Sequence, residues 1–97
     1  MAYDLSEKIV NEIKRIARKN GTEKVVLFGS RARGDNMKRS DVDIAVYGGN
    51  FLDFYFDIDE NNVTLLFFDV VDMENVTSQE LIKEIEKDGV VIYEKNG

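Results

Sequence analysis

Short apolar runs alternate with amphipathic segments along this chain of 97 residues, and that alternation constrains its fold more than any other feature. Apolar residues recur at helical spacing over residues 6–19, with Ser6 as the predicted N-cap. The β-branched run at 24–28 predicts a buried strand. Residues 41–47 alternate between apolar and polar side chains, which predicts a second strand.

The second half of the chain continues this pattern. Residues 63–71 predict a third strand, and residues 90–93 predict a fourth. Thr77 is the predicted N-cap of an intervening helix, with Glu80 completing a capping box and Gly89 ending the helix.

Residues 50–62 fit either a short helix or a strand, because their apolar side chains satisfy both periodicities. Parallel neighbouring strands need a crossover connection, so the helix is favoured. Residues 30–33 predict a further short helix, and 34–40 a polar loop. The sequence therefore predicts one domain over residues 1–97 of α/β (α+β) class, with a small mixed sheet of three to four strands and flanking helices.

The aromatic side chains within residues 51–56 can belong to the core or to a contact surface, and the core is the favoured assignment. If the segment is a helix, two of its sides are apolar, and one small sheet cannot cover both. A helix here therefore predicts an apolar patch that is left for a partner.

Composition limits the chemistry that the chain can perform. It has no cysteine and no histidine, which excludes disulfides, thiolate zinc sites and imidazole acid–base catalysis. Any metal site must use carboxylates, whose oxygens favour magnesium or manganese. The net charge of −6 argues against direct nucleic-acid binding. No signal-peptide pattern and no membrane-length apolar run is present, so a cytoplasmic protein without membrane contact is expected.

Asp41 and Asp43 are the first candidate site residues. Side chains two apart on a strand point to the same face, with Cα atoms about 6.5 Å apart. Two carboxylates so placed repel each other, and a divalent cation between them would remove the repulsion. An Asp-x-Asp pair taken alone is more often a solvent-facing strand end.

Gly29 and Ser30 stand where the first strand gives way to the predicted short helix. A glycine there lets a phosphate approach the backbone, and the serine hydroxyl can donate to it. Taken alone, Gly-Ser is a common turn dipeptide. Arg31 and Arg33 follow, and could bind phosphate oxygens, be solvated, or pair with the acidic second half of the chain. That half, residues 41–97, holds fourteen Asp or Glu against three Lys or Arg. Lys38 and Arg39 are interpreted as surface charges.

The order of these motifs resembles the signature of the polymerase-β-like nucleotidyltransferase superfamily. Gly29-Ser30 is separated by ten residues from Asp41-x-Asp43. The strings at 28–34 and 40–45 are similar to the minimal nucleotidyltransferase (MNT) domains. The stretches at 68–73 and 81–93 also match the way in which those short proteins end.

This resemblance implies a set of roles for the candidate residues. Asp41 and Asp43 would bind one or two Mg²⁺ ions, with Mn²⁺ as the alternative, that bridge the triphosphate of ATP. Gly29 and Ser30 would contact that triphosphate. A third carboxylate on the next strand would bind the second metal and help to deprotonate the attacking hydroxyl. Asp69 matches this position and is expected to be buried, and Asp72 is the alternative.

The resemblance also implies a partner. MNT proteins are typically paired with HEPN proteins in toxin–antitoxin modules. The expected activity is transfer of AMP from ATP to a tyrosine of a HEPN ribonuclease toxin, which this chain silences as the antitoxin. A non-catalytic binding antitoxin and a nucleotidyltransferase subunit acting on an aminoglycoside-like small molecule are the alternatives. A homo-oligomer is compatible with the sequence.

Overall fold

The computed structural model describes residues 3–37, 40–60 and 66–95. Helices and strands alternate through these ranges, as the sequence predicts. In chain order they are α1 (Glu7–Lys19), β1 (Lys24–Phe28), α2 (Gly29–Arg33), β2 (Val42–Tyr47), α3 (Phe51–Glu60), β3 (Phe68–Asp72), α4 (Gln79–Asp88) and β4 (Val90–Glu94).

Four strands form one mixed sheet in the order β3-β2-β1-β4. The central strand β1 runs antiparallel to β2 and β4, whereas β2 and β3 are parallel. A parallel pair needs a crossover, and α3 lies within that crossover. The helical alternative for residues 50–62 is therefore confirmed over 51–60, while 61 and 62 lie outside the described residues. The predicted α/β class with flanking helices is also confirmed.

The third strand is shorter at its start than the sequence predicts. It begins at Phe68 because its partner β2 begins at Val42, and these two residues are the first register pair. Leu66 and Phe67 precede the strand, and 63–65 lie outside the described residues. The strand ends at Asp72, one residue later than predicted, because Asp72 still pairs with Val46.

The sheet has helices on both faces. The larger core lies between the sheet and the helices α1 and α3, and its fully buried side chains include Ile13, Ile16, Leu27, Ile44 and Phe54. A smaller cluster lies under α4 on the opposite face and is formed by Val26, Phe28, Ala45 and Ile85. On this second face α4 packs on β1, so the edge formed by β2 and β3 is left more open.

The helix α1 begins as predicted, because the Ser6 hydroxyl accepts a hydrogen bond from the Ile9 backbone N–H at 3.3 Å. It is the longest helix in the described ranges, with 13 residues. No helix within those ranges is long and apolar enough to cross a lipid bilayer.

The predicted N-cap of α4 is wrong by one residue. Ser78, and not Thr77, caps the helix, because the Ser78 hydroxyl accepts from the Leu81 N–H at 3.2 Å. Leu81 is three residues beyond Ser78, which is the usual N-cap spacing. Glu80 therefore stands at the second helical position instead of the third, and it does not complete a capping box.

This capping contact gives a first testable expectation. Replacing Ser78 by alanine should lower the free energy of unfolding by about 1 kcal/mol, because an N-terminal N–H of α4 loses its acceptor. Thr77→Ala is the matched control and should change it by less than about 0.5 kcal/mol. Urea unfolding measures both values. Equal effects of the two substitutions, or a larger effect of Thr77→Ala, would contradict the assignment.

Candidate active site

Gly29 joins β1 to α2 in a conformation that a side chain would oppose. Its φ is +74°, in the left-handed region that favours glycine. A Cβ atom at this position would lie 2.4 Å from Oδ2 of Asp43, which is closer than real Cβ contacts. Phe28, the preceding residue, is the register partner of Asp43 across β1 and β2. The glycine therefore brings bare backbone against the carboxylate of Asp43.

Two candidate carboxylates are direct register partners. Asp43 on β2 pairs with Asp69 on the parallel strand β3, and Asp41 lies just before β2. Because side chains alternate along a strand, Asp43 and Asp69 share a face with Ala45 and Val71, which belong to the cluster under α4. The three aspartates that the sequence nominates thus lie at the same end of β2 and β3.

Asp69 is exposed, and the expectation that it would be buried is wrong. The reason is that β3 is an edge strand and that α4 packs on β1 instead of covering this end of the sheet. Exposure leaves Asp69 accessible to a second molecule.

Asp72, the alternative third carboxylate, has a different setting. It is three residues beyond Asp69 and therefore faces the other side of the sheet. Its carboxylate accepts from the Glu74 N–H at 3.1 Å and from the Asn75 side-chain amide at 2.8 Å. These bonds stabilise the turn after β3. Geometry therefore favours Asp69 over Asp72 as the companion of Asp43.

Negative charge around Asp43 is incompletely balanced. Burial raises the pKa of the Asp43 carboxyl most, the charges of Asp69, Asp41 and Glu84 also raise it, and Arg33 lowers it. Together they bring this pKa from an ordinary 3.8 to about 6. Glu84 lies on α4 and was not nominated from the sequence. Its signal was its helical spacing of three residues from Leu81, which packs on the same face of the sheet as Asp43.

The donor set fits a hard divalent cation. Asp41, Asp43 and Asp69 offer only carboxylate oxygens, which is the ligand type that Mg²⁺ and Mn²⁺ prefer. As they stand, no three acidic side chains within the described ranges are close enough to hold a metal ion. Their mutual repulsion raises the pKa of Asp43, and a cation bound between them would reverse that repulsion.

Ser30 lies next to Gly29 and is partly exposed, so its hydroxyl is within reach of a ligand at this end of the sheet. Its backbone carbonyl accepts from the N–H groups of Gly34 and Asp35, at 2.9 Å and 3.1 Å. These bonds close α2 and fix the position of Ser30 beside the carboxylates.

Arg31 is buried, which contradicts the solvated setting, one of the three considered from the sequence. Only 5% of the residue is exposed. Its Nε donates to the carbonyl of Ser40 and its Nη1 to the carbonyl of Asp4, both at 3.1 Å. The Asp4 N–H in turn donates to the Arg31 carbonyl at 2.8 Å. Arg31 therefore joins the N-terminal segment to the residue that precedes Asp41.

Arg33 points outward and pairs with the acidic second half of the chain, which was one of its predicted alternatives. Its Nε donates to Asp35 at 3.0 Å and its Nη1 to Asp88 of α4 at 3.1 Å. These two bonds raise the pKa of Arg33. The guanidinium also lies close enough to lower the pKa of Asp43. Lys38 and Arg39, predicted as surface charges, lie outside the described residues.

The buried position of Arg31 predicts a large structural effect. Arg31→Met should lower the free energy of unfolding by about 2–3 kcal/mol, because the carbonyls of Ser40 and Asp4 lose their donors. Arg15→Met is the control, since Arg15 pairs with Glu12 on the surface, and it should lower the free energy of unfolding far less. Urea unfolding of both variants measures the difference. Similar values would contradict a supporting role for Arg31.

Residues 11–97 match the family model described as "Polymerase beta, Nucleotidyltransferase". The chain belongs to this nucleotidyltransferase family. The match covers Gly29, Ser30 and the three aspartates, and so includes the whole of the candidate site. The resemblance drawn from the sequence is thereby confirmed.

A known relative of this nucleotidyltransferase agrees with that assignment. The chain is 38% identical over 78 residues to the "Putative protein adenylyltransferase MJ0604" of Methanocaldococcus jannaschii, which covers 80% of this chain and 75% of that one.

Solved structures share its fold. A toxin–antitoxin structure with AMP-PNP has a TM-score of 0.70 and 24% identity, covering 89% of this chain and 73% of that one. The toxin–antitoxin MntA-HepT has a TM-score of 0.64 and 19% identity, covering 94% and 74%.

Proposed function

We propose that this nucleotidyltransferase transfers AMP from ATP to a tyrosine hydroxyl of a HEPN-family ribonuclease toxin, and that it thereby acts as the antitoxin. The observation that carries the proposal is the contact of Gly29 with Asp43, the register partner of Asp69. This contact places the backbone of Gly29, which a phosphate can approach, beside carboxylates that can bind a metal ion. The relative described as a protein adenylyltransferase supports a protein as the acceptor.

The binding roles follow from the positions of the residues. Gly29 leaves room for the triphosphate at the backbone, and the hydroxyl of Ser30 donates to a phosphate oxygen. Arg33 binds phosphate oxygens after exchanging its exposed partner Asp35 for them. Asp41, Asp43 and Asp69 would hold Mg²⁺, which supplies charge neutralisation of the triphosphate and of the leaving pyrophosphate when bound.

The acceptor side of the reaction is assigned to Asp69. It is exposed at the open edge of the sheet, so a hydroxyl of a second protein can reach it. Its carboxylate accepts the proton of the tyrosine hydroxyl as the phenolic oxygen attacks the α-phosphorus of ATP. An oxygen–phosphorus bond forms, the bond from the α-phosphorus to the bridging oxygen breaks, and pyrophosphate leaves. Positioning and electrostatics then account for most of the rate.

Two structural neighbours support the partner and the nucleotide. The MntA-HepT structure is of a toxin–antitoxin, and a protein of the same fold was solved with AMP-PNP, an analogue of ATP. A small domain that exposes its third carboxylate needs a second molecule to complete the acceptor side. A HEPN-family protein encoded beside this chain's gene is the corresponding candidate.

Labelled ATP tests the proposal. The chain is incubated with Mg²⁺, the neighbouring HEPN protein and ATP that carries radioactive phosphorus at either the α- or the γ-phosphate. Label should reach the HEPN protein from the α-phosphate and not from the γ-phosphate. Transfer of label from the γ-phosphate to the HEPN protein, or no transfer by a correctly folded chain, would contradict the proposal.

The same reaction separates the two alternatives. Neutralisation of the toxin by the double variant Asp41→Asn/Asp43→Asn would indicate a binding antitoxin. Label on an added aminoglycoside would indicate a small-molecule transferase.

A further inference from the structure

Four exposed apolar side chains lie on α3 and just before β3, at the β3 edge of the sheet. Leu52, Tyr55 and Phe56 of α3 are 66%, 46% and 59% exposed, and Phe67, just before β3, is 77% exposed. The three α3 residues are at helical spacing on one side of the helix. The rings of Tyr55 and Phe56 are 6.0 Å apart, and Tyr55 and Phe67 line the same cleft. We call these four residues the edge patch.

The edge patch is a second apolar side of α3, as a helix in this segment predicts. Phe54 and Ile58 on the inner side already fill the main core, so the outer residues do not contribute to it. Burying a large aromatic side chain gives a lower free energy than leaving it exposed to water. Contiguous exposed patches of this kind therefore usually mark an interaction site.

Acidic residues surround the edge patch. The helix α3 carries Asp53, Asp57, Asp59 and Glu60, and it has no basic residue. Asp57 has a structural role, since it pairs with Lys19 at 3.3 Å and accepts from Asn20 at 2.9 Å. Asp59 and Glu60 are exposed at the C-terminal end of α3, where negative charge opposes the helix dipole. Helix stability therefore does not explain them.

This charge distribution selects the kind of partner. A symmetric contact with a second copy of the chain would set the acidic rim against itself, and like-charge contacts are strongly unfavourable. A surface with an apolar centre and a basic rim complements both features of the edge patch.

The edge patch also borders the candidate active site. The carbonyl of Phe67 accepts from the N–H of Val42, between Asp41 and Asp43, at 2.9 Å. Phe67 is two residues before Asp69 along the chain. A molecule that contacts Phe67 is therefore adjacent to the exposed carboxylate.

We propose that the edge patch is the docking surface for the protein substrate, a partner whose contact surface is apolar at its centre and basic at its rim. Docking there brings the acceptor hydroxyl of the partner to Asp69. This inference rests on the proposed function for the statement that the docked protein is also the substrate.

Binding without ATP tests the docking surface. Isothermal titration calorimetry measures the affinity of the full chain for the neighbouring HEPN protein. Phe56→Ser and Phe67→Ser should each weaken it by about 10–100-fold, as loss of an aromatic anchor does. Val91→Ser is the control, since Val91 is also exposed but lies on β4, at the other edge of the sheet, and it should leave the affinity within about twofold. Asp59→Lys should weaken binding most at low salt.

The outcomes separate this inference from the proposed function. Weakened binding by the two phenylalanine variants without any AMP transfer by the wild type supports the surface and contradicts the proposed function. Transfer with wild-type affinity and rate in both variants supports the function and overturns the surface. The absence of a complex between the two intact proteins also overturns it. So does sedimentation showing a dimer of this chain that Phe56→Ser dissociates.

Discussion

Replacing Asp43 by asparagine is expected to lower the AMP-transfer rate by about 10³-fold or more and to stabilise the domain near neutral pH. The loss of activity follows because a carboxylate that faces Gly29 and Asp69 is replaced by a neutral amide. The gain in stability follows because the ionised form of Asp43 is disfavoured in the folded chain. Activity and stability should therefore change in opposite directions at this residue.

The direction of the stability change follows from the pKa. Asp43 titrates at about 6 in the folded protein and at 3.8 as an ordinary carboxyl. Well below pH 3.8 the Asp43 carboxyl is protonated in both the folded and the unfolded state, and it then has no effect on stability. As the pH rises from about 4 to about 6, ionisation is easier in the unfolded chain, and the folded state loses stability. Because the group is only half-buried, solvent screening limits the loss to about 1–2 kcal/mol.

Thermal unfolding across this pH range measures the effect. At neutral pH, Asp43→Asn should raise Tm by about 4–8 °C for each kcal/mol of stability gained. Well below pH 3.8 it should leave Tm unchanged. Glu94→Gln is the control, since it removes an exposed carboxylate at the far end of β4. Added Mg²⁺ should raise the Tm of the wild type and not that of Asp43→Asn. A variant that is less stable than the wild type at neutral pH would contradict this account.

Gly29→Ala should have the second large effect, because it strains the backbone and displaces the Asp43 carboxylate together. The new methyl group would lie 2.4 Å from Oδ2 of Asp43 at a φ of +74°. We expect the free energy of unfolding to fall by about 2–4 kcal/mol and AMP transfer to fall by about 10²-fold or more.

Gly21→Ala is the matched control. Gly21 has a similar φ of +68°, but nothing lies within 4 Å of a Cβ atom there. The free energy of unfolding of Gly21→Ala should fall by only about 1 kcal/mol, the cost of placing alanine in this backbone conformation. Urea unfolding of both variants isolates the clash, and combining Gly29→Ala with Asp43→Ala should recover part of the difference. Equal losses in Gly21→Ala and Gly29→Ala would show that Gly29 does not constrain Asp43.

The parts of the fold that the sequence predicts well are those with local causes. The β-branched run that forms β1 and the apolar spacing of α1 each identify their element without tertiary information. The helix α3 was predicted only after a topological argument was added, because its residues satisfy both periodicities. The sequence predicts Thr77 as the N-cap of α4, whereas Ser78 caps it. Both residue types can cap a helix, and only the packing of the helix decides between them.

The site was predictable in its motifs and not in its side-chain environments. Gly29 and Asp43 could be nominated because their residue types and spacing are distinctive. Arg31 and Arg33 are two apart on a single short helix, and nothing local shows that one is buried while the other faces α4. The exposure of Asp69 depends on its edge strand and on where α4 packs. Glu84 reaches the site only through tertiary packing, which no local motif encodes.

The central claim is that this chain attaches AMP to a protein hydroxyl, and intact-protein mass spectrometry of the neighbouring HEPN protein tests it most directly. After incubation with this chain, ATP and Mg²⁺, the account predicts a mass increase of one or more AMP groups, located by peptide fragmentation on a tyrosine. The increase should be absent with Asp43→Asn. A HEPN protein that is inhibited by the wild-type chain while its mass stays unchanged would contradict the account.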